Sequence, residues 1–344
     1  MLRLAVMGAT GAVGQEMLNI LEQRKFQYDS LKLLASARSA GKKITVSGRE
    51  YAVEELTDAS FDDVDIVLAS AGASVSKRFV PAILKAGATI VDNTSAFRME
   101  PHIPLVVPEV NPDACQGHPG IIANPNCSTI QMVVALAPIH RKAGIKRLVI
   151  STYQSTSGKG MKAMEELTIQ SRQQLTTGGE LKCEQFPHPI AFNCLPHIDS
   201  FLENGYTKEE MKMVNETRKI LGDQSIMATA TTVRVPVYRG HAECVNVEMI
   251  NPISADEVRE MLRHAPGVEV QDDPANCVYP LQRDCEGRDE TFVGRIRQDI
   301  SNPNAIDMWI VSDNLRKGAA LNAVQIAELL IAKNWVKATP AATV

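Results

Sequence analysis

Residues 2–25 read LRLAVMGATGAVGQEMLNILEQRK, and no other stretch restricts the fold as much. Residues 2–7 are an apolar run with room for one short strand. Gly8, Gly11 and Gly14 follow, with Thr10, Ala12 and Val13 between them. Met17, Leu18, Ile20 and Leu21 then recur at helical spacing. Strand, glycine turn and helix form the setting that a dinucleotide-phosphate loop needs. Gly8 and Gly11 permit the tight turn and a close backbone approach, Gly14 lets the helix pack against the strand, and the N–H groups at the helix start face the phosphates. The spacing is GxxGxxG rather than GxGxxG, and an ordinary tight strand–helix turn uses the same residues.

The following residues extend the pattern. LKLLAS (31–36) reads as a second strand, at whose end an acidic residue would bind the ribose hydroxyls of NAD. Here Ser36, Arg38 and Ser39 stand instead, with no Asp or Glu before Glu50. A cation and two hydroxyls suit a 2′-phosphate, so NADP is preferred to NAD; a solvated basic loop reads the same way. VDIVLAS (64–70) and TIVDNT (89–94) read as strands, and SVSKRFVPAILKAG (74–87) as a helix stopped by Gly87. This alternation predicts an α/β, Rossmann-type, doubly wound parallel sheet. Such sheets bind ligands at strand C-terminal ends, which makes Arg98, in DNTSAFR, a candidate anion binder, although a lone Arg is more often a surface residue.

At 344 residues, two domains are expected. A net charge of −4 gives no electrostatic reason to expect nucleic acid or an anionic membrane as partner. No apolar run reaches the roughly 18 residues of a spanning helix. The N-terminal run faintly resembles a signal peptide, but the glycine pattern explains it better. The 7 cysteines are odd in number, form no CxxC pair and match no zinc framework, so no metal is expected and a reducing cytoplasm fits best.

One cysteine stands apart. In GIIANPNCSTIQMVVALAPI (120–139), Ile121 and Ile122 continue the strands, Asn124, Pro125 and Asn126 break them, and Asn126 suits an N-cap. Cys127 then falls in the first turn of an apolar helix. Helix N-termini stabilise a thiolate, and their N–H groups can hold an oxyanion; a packing or capping-turn role is the alternative. A thiolate beside a nicotinamide implies attack on an aldehyde, hydride loss to NADP and a thioacyl-enzyme, or the reverse from an acyl phosphate. STYQSTSGKG (151–160) and VRVPVYRGHAE (233–243) are the candidate sources of an acid/base and an anion pocket.

GATGAVG, ASARSAG, VDNTSAFR, VVPEVN, NPNCST, STYQSTSGKGM, AFNCLPHID, VRVPVYRGH, TFVGRIR and VSDNLRKGAALNAVQIAE together resemble, in order and over the whole chain, the aspartate-β-semialdehyde dehydrogenases, and most closely their bacterial branch. The resemblance implies Cys127 as acyl-thioester nucleophile, His241 as general acid/base and Gln154 as a residue orienting the substrate. It implies Arg234 on the substrate α-carboxylate, and Arg98, Asn126 and Lys212 on the phosphate. Glu209 would meet the substrate amino group or orient Lys212. Thr10, Gly11, Ala12, Val13, Arg38, Ser39, Ser157, Gly158 and Asn314 would line the NADP site. By spacing alone, Glu209 and Lys212 are an ordinary helix-surface pair, Arg234 can point to solvent, and His241 is an unremarkable histidine. Lys159 has no assigned direction.

The expected domains are 1–128 with 318–344 for NADP, and 129–317 as an α+β substrate domain. In the latter, residues 147–155, 230–238, 242–250 and 307–314 read as strands, 208–222 and 254–267 as helices; 318–334 reads as a buried helix and 336–344 as a tail. The resemblance implies a homodimer through the outer face of the second sheet and leaves a homotetramer open. It implies reversible reduction of L-aspartyl-4-phosphate to L-aspartate 4-semialdehyde, toward lysine, methionine, threonine and isoleucine. Two rivals remain. An N-acetyl-γ-glutamyl-phosphate reductase usually has Gly-Cys-Tyr where this chain has Asn126-Cys127-Ser128. A catalytically silent scaffold typically loses the Cys or His kept here.

Overall fold

The computed structural model describes residues 2–337, so most of the expected tail at 336–344 lies outside the described residues. The chain forms two compact units, Met1–Asn126 with Ala319–Val344, and Cys127–Gly318. The boundary places Cys127 and Ser128, which the sequence reading assigns to the first domain, at the start of the second unit.

The first unit is built on a seven-stranded sheet. Its strands are β1 (Arg3–Met7), β2 (Ser30–Ala35), β3 (Lys43–Val46), β4 (Arg49–Glu55), β5 (Ile66–Ala69), β6 (Thr89–Asp92) and β7 (Ile121–Ala123), in the order β3-β4-β2-β1-β5-β6-β7. All pairs are parallel except β3 with β4. Helices α1 (Ala12–Gln23) and α2 (Ala73–Lys85) are the crossovers. Met17, Leu18, Ile20 and Leu21 of α1 share one core with Leu4, Val6 and Leu33 of the sheet and with Leu321–Ala332, the helix that ends the described chain. The β3–β4 hairpin is not among the expected strands. Its turn, Ser47-Gly48, has φ of 51° and 75°, as a two-residue hairpin turn of matching twist requires.

Gly14 is where α1 lies closest to the loop. A Cβ there would sit 2.2 Å from the Gly8 carbonyl oxygen. Gly14→Ala is therefore expected to cost about 1–3 kcal/mol of stability through overpacking and to weaken dinucleotide binding at least about tenfold, equivalent to ~1.4 kcal/mol. Thermal melts and a cofactor fluorescence titration check both.

The second unit holds a six-stranded mixed sheet. Helix α3 (Cys127–Ala143) leads into β8 (Ile145–Gln154), followed by α4 (Met161–Thr176), α5 (Lys208–Leu221), β9 (Met227–Arg234) and β10 (His241–Met249). Helix α6 (Ala255–Arg263), β11 (Val268–Val270), β12 (Thr291–Gln298) and β13 (Ala305–Ser312) complete it, in the order β11-β12-β13-β10-β8-β9. One face carries Leu148, Ile150, Val245, Val247, Met308 and Ile310, packed against Met132, Leu136 and Ile139 of α3, Met213 of α5 and Leu262 of α6.

Local chemistry sets several ends. Thr207 and Glu210 form a reciprocal capping box on α5, and Gly222 closes that helix with φ 69°. Ser254 and Glu257 cap α6 in the same way. That helix stops at Arg263, a few residues before Gly267, which the sequence places beyond its end, because Pro266 has no N–H to continue it. Strand β9 ends at Arg234 rather than 238: Pro236 follows, and the chain turns away after Val235 donates to the Gln154 carbonyl. Helix α4 and strand β12 are absent from the expected elements.

Candidate active site

In the first unit, α1 begins at Ala12 with no side chain capping its N-terminus and no acidic residue in its first turn. Its leading N–H groups are thus left for an anion. Thr10 and Gly11 are exposed, and Ala12 and Val13 half-buried. Past β2, residues 37–39 form a short turn in which Ser36 and Arg38 are exposed. Arg38 makes no ion pair among the described residues. This loop and turn fit a nicotinamide dinucleotide. Arg98 is buried near the ends of β6 and β7, where its Nε donates to the Asn124 carbonyl at 2.9 Å and its Nη2 to the Asn93 carbonyl at 3.0 Å. Asn126, also buried, directly precedes the thiol.

The second unit assembles its site by strand register. His241 opposes Gln154, and Gln154 opposes Arg234, so β10, β8 and β9 place the three in one row on the helix-covered face. All three are buried. Cys127, half-buried, is the first residue of α3 and lies close enough to Arg234 for a thiolate there to favour the guanidinium. Gln154 Nε2 donates to Glu209 Oε1 at 3.3 Å. Lys212 Nζ lies 3.0 Å from Glu209 and 2.9 Å from Asp199. Burial works against the Lys212 ammonium, yet the two carboxylates outweigh it and raise its pKa. Glu209 is itself buried, so this pair is not a solvated surface bridge.

Arg234 is 5% exposed and donates through Nη1 to the Ser155 carbonyl at 2.7 Å. No carboxylate lies within ion-pair distance of it among the described residues. Burial lowers its pKa, and the more distant Glu209 carboxylate offsets only part of that. An unpaired buried cation is costly, and a protein that keeps one at a site has a place for an anion. In the adjoining row, Thr232–Thr152–Glu243, burial raises the Glu243 pKa well above its ordinary value.

Asn314 Oδ1 accepts from Ser155 Oγ, Ser157 Oγ and the Gly240 N–H, at 3.1, 3.1 and 2.9 Å. Gly158 faces the row: a Cβ there would lie 3.0 Å from Arg234 Nη1 and 3.1 Å from His241 Nε2. Lys159 is directed elsewhere, donating to the Gln185 carbonyl and lying over the Phe186 ring.

Two residues here escape the sequence reading. One is Ser155, whose backbone N–H donates to His241 Nδ1 at 3.1 Å. The other is Gly318, where a Cβ would come within 2.9 Å of the Cys127 Cβ. Its only sequence signal is a glycine opening an apolar helical stretch. Gly318→Ala is expected to push the thiol off its position and lower kcat/KM about 10²-fold with a small change in Tm. Steady-state kinetics beside a thermal melt separates the two.

Burial, reinforced by Arg234, lowers the His241 pKa from 6.5 to about 3. The ring is then neutral in the fold while the unfolded chain protonates it below about pH 6.5. The unfolded state binds the extra proton, so stability falls as pH drops from about 6.5 toward 3, at up to ~1.4 kcal/mol per pH unit. Urea unfolding at pH 7 and pH 5 should show this loss in the wild type and less of it in His241→Gln.

No helix among the described residues is long and apolar enough to cross a membrane, and no metal-binding cluster occurs among them. A dinucleotide loop on one unit, and on the other a thiol at a helix N-terminus with a buried histidine and arginine, are the parts found in nicotinamide oxidoreductases that use a cysteine. Comparison with known proteins narrows the class. Residues 3–118 match the family model "Semialdehyde dehydrogenase, NAD binding domain", and residues 136–317 match "Semialdehyde dehydrogenase, dimerisation domain". The chain is 54% identical over 337 residues to the aspartate-semialdehyde dehydrogenase of Aquifex aeolicus, covering 97% of this chain and 99% of that one. It is 50% identical over 343 residues to that of Bacillus subtilis, covering 97% and 99%. The crystal structure of aspartate semialdehyde dehydrogenase II from Vibrio cholerae, complexed with ASA, superposes with a TM-score of 0.93 at 49% identity, covering 96% of this chain and 98% of that one. The enzyme from Candida albicans, solved with NADP, superposes at 0.76 with 28% identity, covering 97% and 99%. The chain belongs to the aspartate-semialdehyde dehydrogenase family.

Proposed function

We propose that this protein catalyses the reversible, NADPH-dependent reductive dephosphorylation of L-aspartyl-4-phosphate to L-aspartate 4-semialdehyde, on the route to lysine, methionine, threonine and isoleucine. The observation that carries the reading is the buried Arg234, with no carboxylate within ion-pair distance among the described residues, beside the Cys127 thiol. A substrate with an acyl carbon for the thiol and an α-carboxylate for the guanidinium fits that pair.

Cys127 attacks the acyl carbon and forms the thioester. Gln154 orients the substrate, and Arg234 grips its α-carboxylate. Glu209 holds Lys212 in place and, at the negative end of the pair, favours the substrate amino group. Arg98, Asn126 and Lys212 take the phosphate. A nicotinamide dinucleotide held by Gly8, Thr10, Gly11, Ala12 and Val13, with Ser157, Gly158 and Asn314, supplies or takes up hydride. Ser36, Arg38 and Ser39 favour a 2′-phosphate, hence NADP over NAD. In this reading, the first unit binds the cofactor and the second carries the substrate and the dimer contact. The match of residues 136–317 to a dimerisation model supports a homodimer, and the expected setting is the cytoplasm.

The test follows NADPH formation from purified protein, L-aspartate semialdehyde, NADP and phosphate. Turnover that requires phosphate and falls when NAD replaces NADP supports the reading. Folded, reduced enzyme that fails with either nucleotide, but accepts the N-acetylglutamyl semialdehyde, sinks it.

A further inference from the structure

Glu243 stands two residues after His241 on β10, turned to the same helix-covered face and wholly buried. Its neighbours in register are Thr152 on β8 and Ile310 on β13, neither of which carries a charge. Neither of its carboxyl oxygens has a hydrogen-bond partner among the described residues. Helix α3 brings the amide of Gln131, also wholly buried, close enough to act on that carboxyl as a hydrogen-bond donor. Gln131 Nε2 donates to the His241 backbone carbonyl at 3.4 Å, while its Oε1 has no partner among the described residues.

Donors and acceptors balance in one protonation state. A carboxylate offers acceptors alone and would leave Gln131 Oε1 without a donor. A carboxylic acid offers one O–H and one C=O, and a primary amide two N–H and one C=O. Side by side they exchange an O–H···O and an N–H···O bond, and the second amide N–H remains for the His241 carbonyl. The protonated acid thus satisfies all three orphaned oxygens together. The electrostatic surroundings agree. Burial raises the Glu243 pKa, and Gln131 offsets part of the rise. The titratable groups on the elements around it are His241 on its own strand, Cys127 on α3, Arg234 on β9, and Glu209 and Glu210 on α5; none of them figures in that shift. Glu210 is committed elsewhere, accepting the Thr232 and Thr207 N–H groups at 3.0 and 2.7 Å.

Gln131 lies one helical turn after Cys127, on the same side of α3. The neighbouring contacts of α3 with the sheet, through Met132, Ala135, Leu136 and Ile139, are apolar and so set no direction. A polar pair with two bonds does. We propose that Glu243, as the neutral acid, and Gln131 are positioning residues, whose acid–amide pair locks the first turns of α3 to β10 and so sets where the Cys127 sulfur stands against the reactive row. The inference rests on the function proposed above; both residues act through Cys127 rather than on the substrate.

The test is infrared spectroscopy of the full-length, ligand-free protein, with glutamate ¹³C-labelled at the side-chain carboxyl. The expected spectrum shows a protonated-carboxyl band at about pH 8, where an ordinary glutamate, of pKa near 4.3, is ionised. The band moves with the label and disappears in Glu243→Gln. Its absence from the wild type, or its survival in that variant, overturns the proposal. Gln131→Leu, apolar and close in volume, reads the pairing: the band is expected to shift to higher frequency as its hydrogen bonds are lost, and an unmoved band overturns the pair. Should Glu243→Gln fail to fold, this shift assigns the band instead. Kinetics separates positioning from packing. Glu243→Gln rebuilds a two-bond pair, amide to amide, and among variants that fold it is expected to exceed Glu243→Leu at least about tenfold in kcat, with KM values within about threefold of each other. Equal kcat losses overturn the positioning role. The infrared bands need no substrate, so failure of the substrate assignment would leave them in place and show separately in the turnover assay.

Discussion

Cys127→Ser is expected to lower turnover at least about 10⁴-fold, with Tm essentially unchanged. The hydroxyl is nearly isosteric, and residue 127 is half-buried at the first turn of α3, so packing is preserved. What is lost is an anionic nucleophile that a helix N-terminus and a guanidinium can stabilise, because an alcohol does not ionise under those influences. The other cysteines offer no substitute. Burial pushes Cys115 and Cys285 up to about 12, which leaves them inert. Burial also raises the pKa of the half-buried Cys244, and Cys183, Cys194 and Cys277 are exposed. Peptide mapping after brief alkylation at neutral pH should find Cys127 modified first. Residual activity above about one part in 10³ in the serine variant would show that the thiol is not the nucleophile.

Arg234→Met is expected to lower kcat/KM about 10³-fold while leaving Tm unchanged or raising it. The activity loss follows from removing a desolvated cation from the substrate carboxylate, an interaction of several kcal/mol whose partner is then stranded. The opposite sign for stability follows from burial: with no carboxylate in ion-pair contact, and Glu209 offsetting only part of the desolvation, the guanidinium destabilises the empty fold, and an apolar side chain of similar length removes that cost. Kinetics and calorimetry on the same preparation check both. A drop in Tm of ten degrees, with activity falling in parallel, would identify Arg234 as a structural residue.

The sequence shows one kind of feature well and another hardly at all. Helix α5 is legible at both ends because its signals are local: Thr207 and Glu210 lie three residues apart and Gly222 closes the last turn. The strand–turn–helix at β1 and α1 is legible for the same reason. The β3–β4 hairpin is obscured because its positions are largely exposed and charged, so no apolar run marks it. Cys127 can be placed at a helix start from its neighbours, but the row Gln154–His241–Arg234 cannot be read without the family resemblance. Alternation gives each side chain a face, whereas strand order and register, which bring residue 154 opposite both 234 and 241, arise from tertiary pairing. Gly318, and the steric demand on Gly158 from Arg234 and His241, are invisible on the same ground: each is required by an atom far away in the chain.

Arg234, Gln154 and His241 occupy the same alternation as Ala230, Ile150 and Val245, four positions away on their strands and buried in the apolar core. A slip of one residue in β8, β9 or β10 would turn that strand's reactive side chain outward together with its core side chains. The molecule thus proofreads its own chemistry. A chain that has closed its hydrophobic interior has also set its reactive row in place, and one that mispairs its strands exposes apolar surface that marks it for refolding or removal.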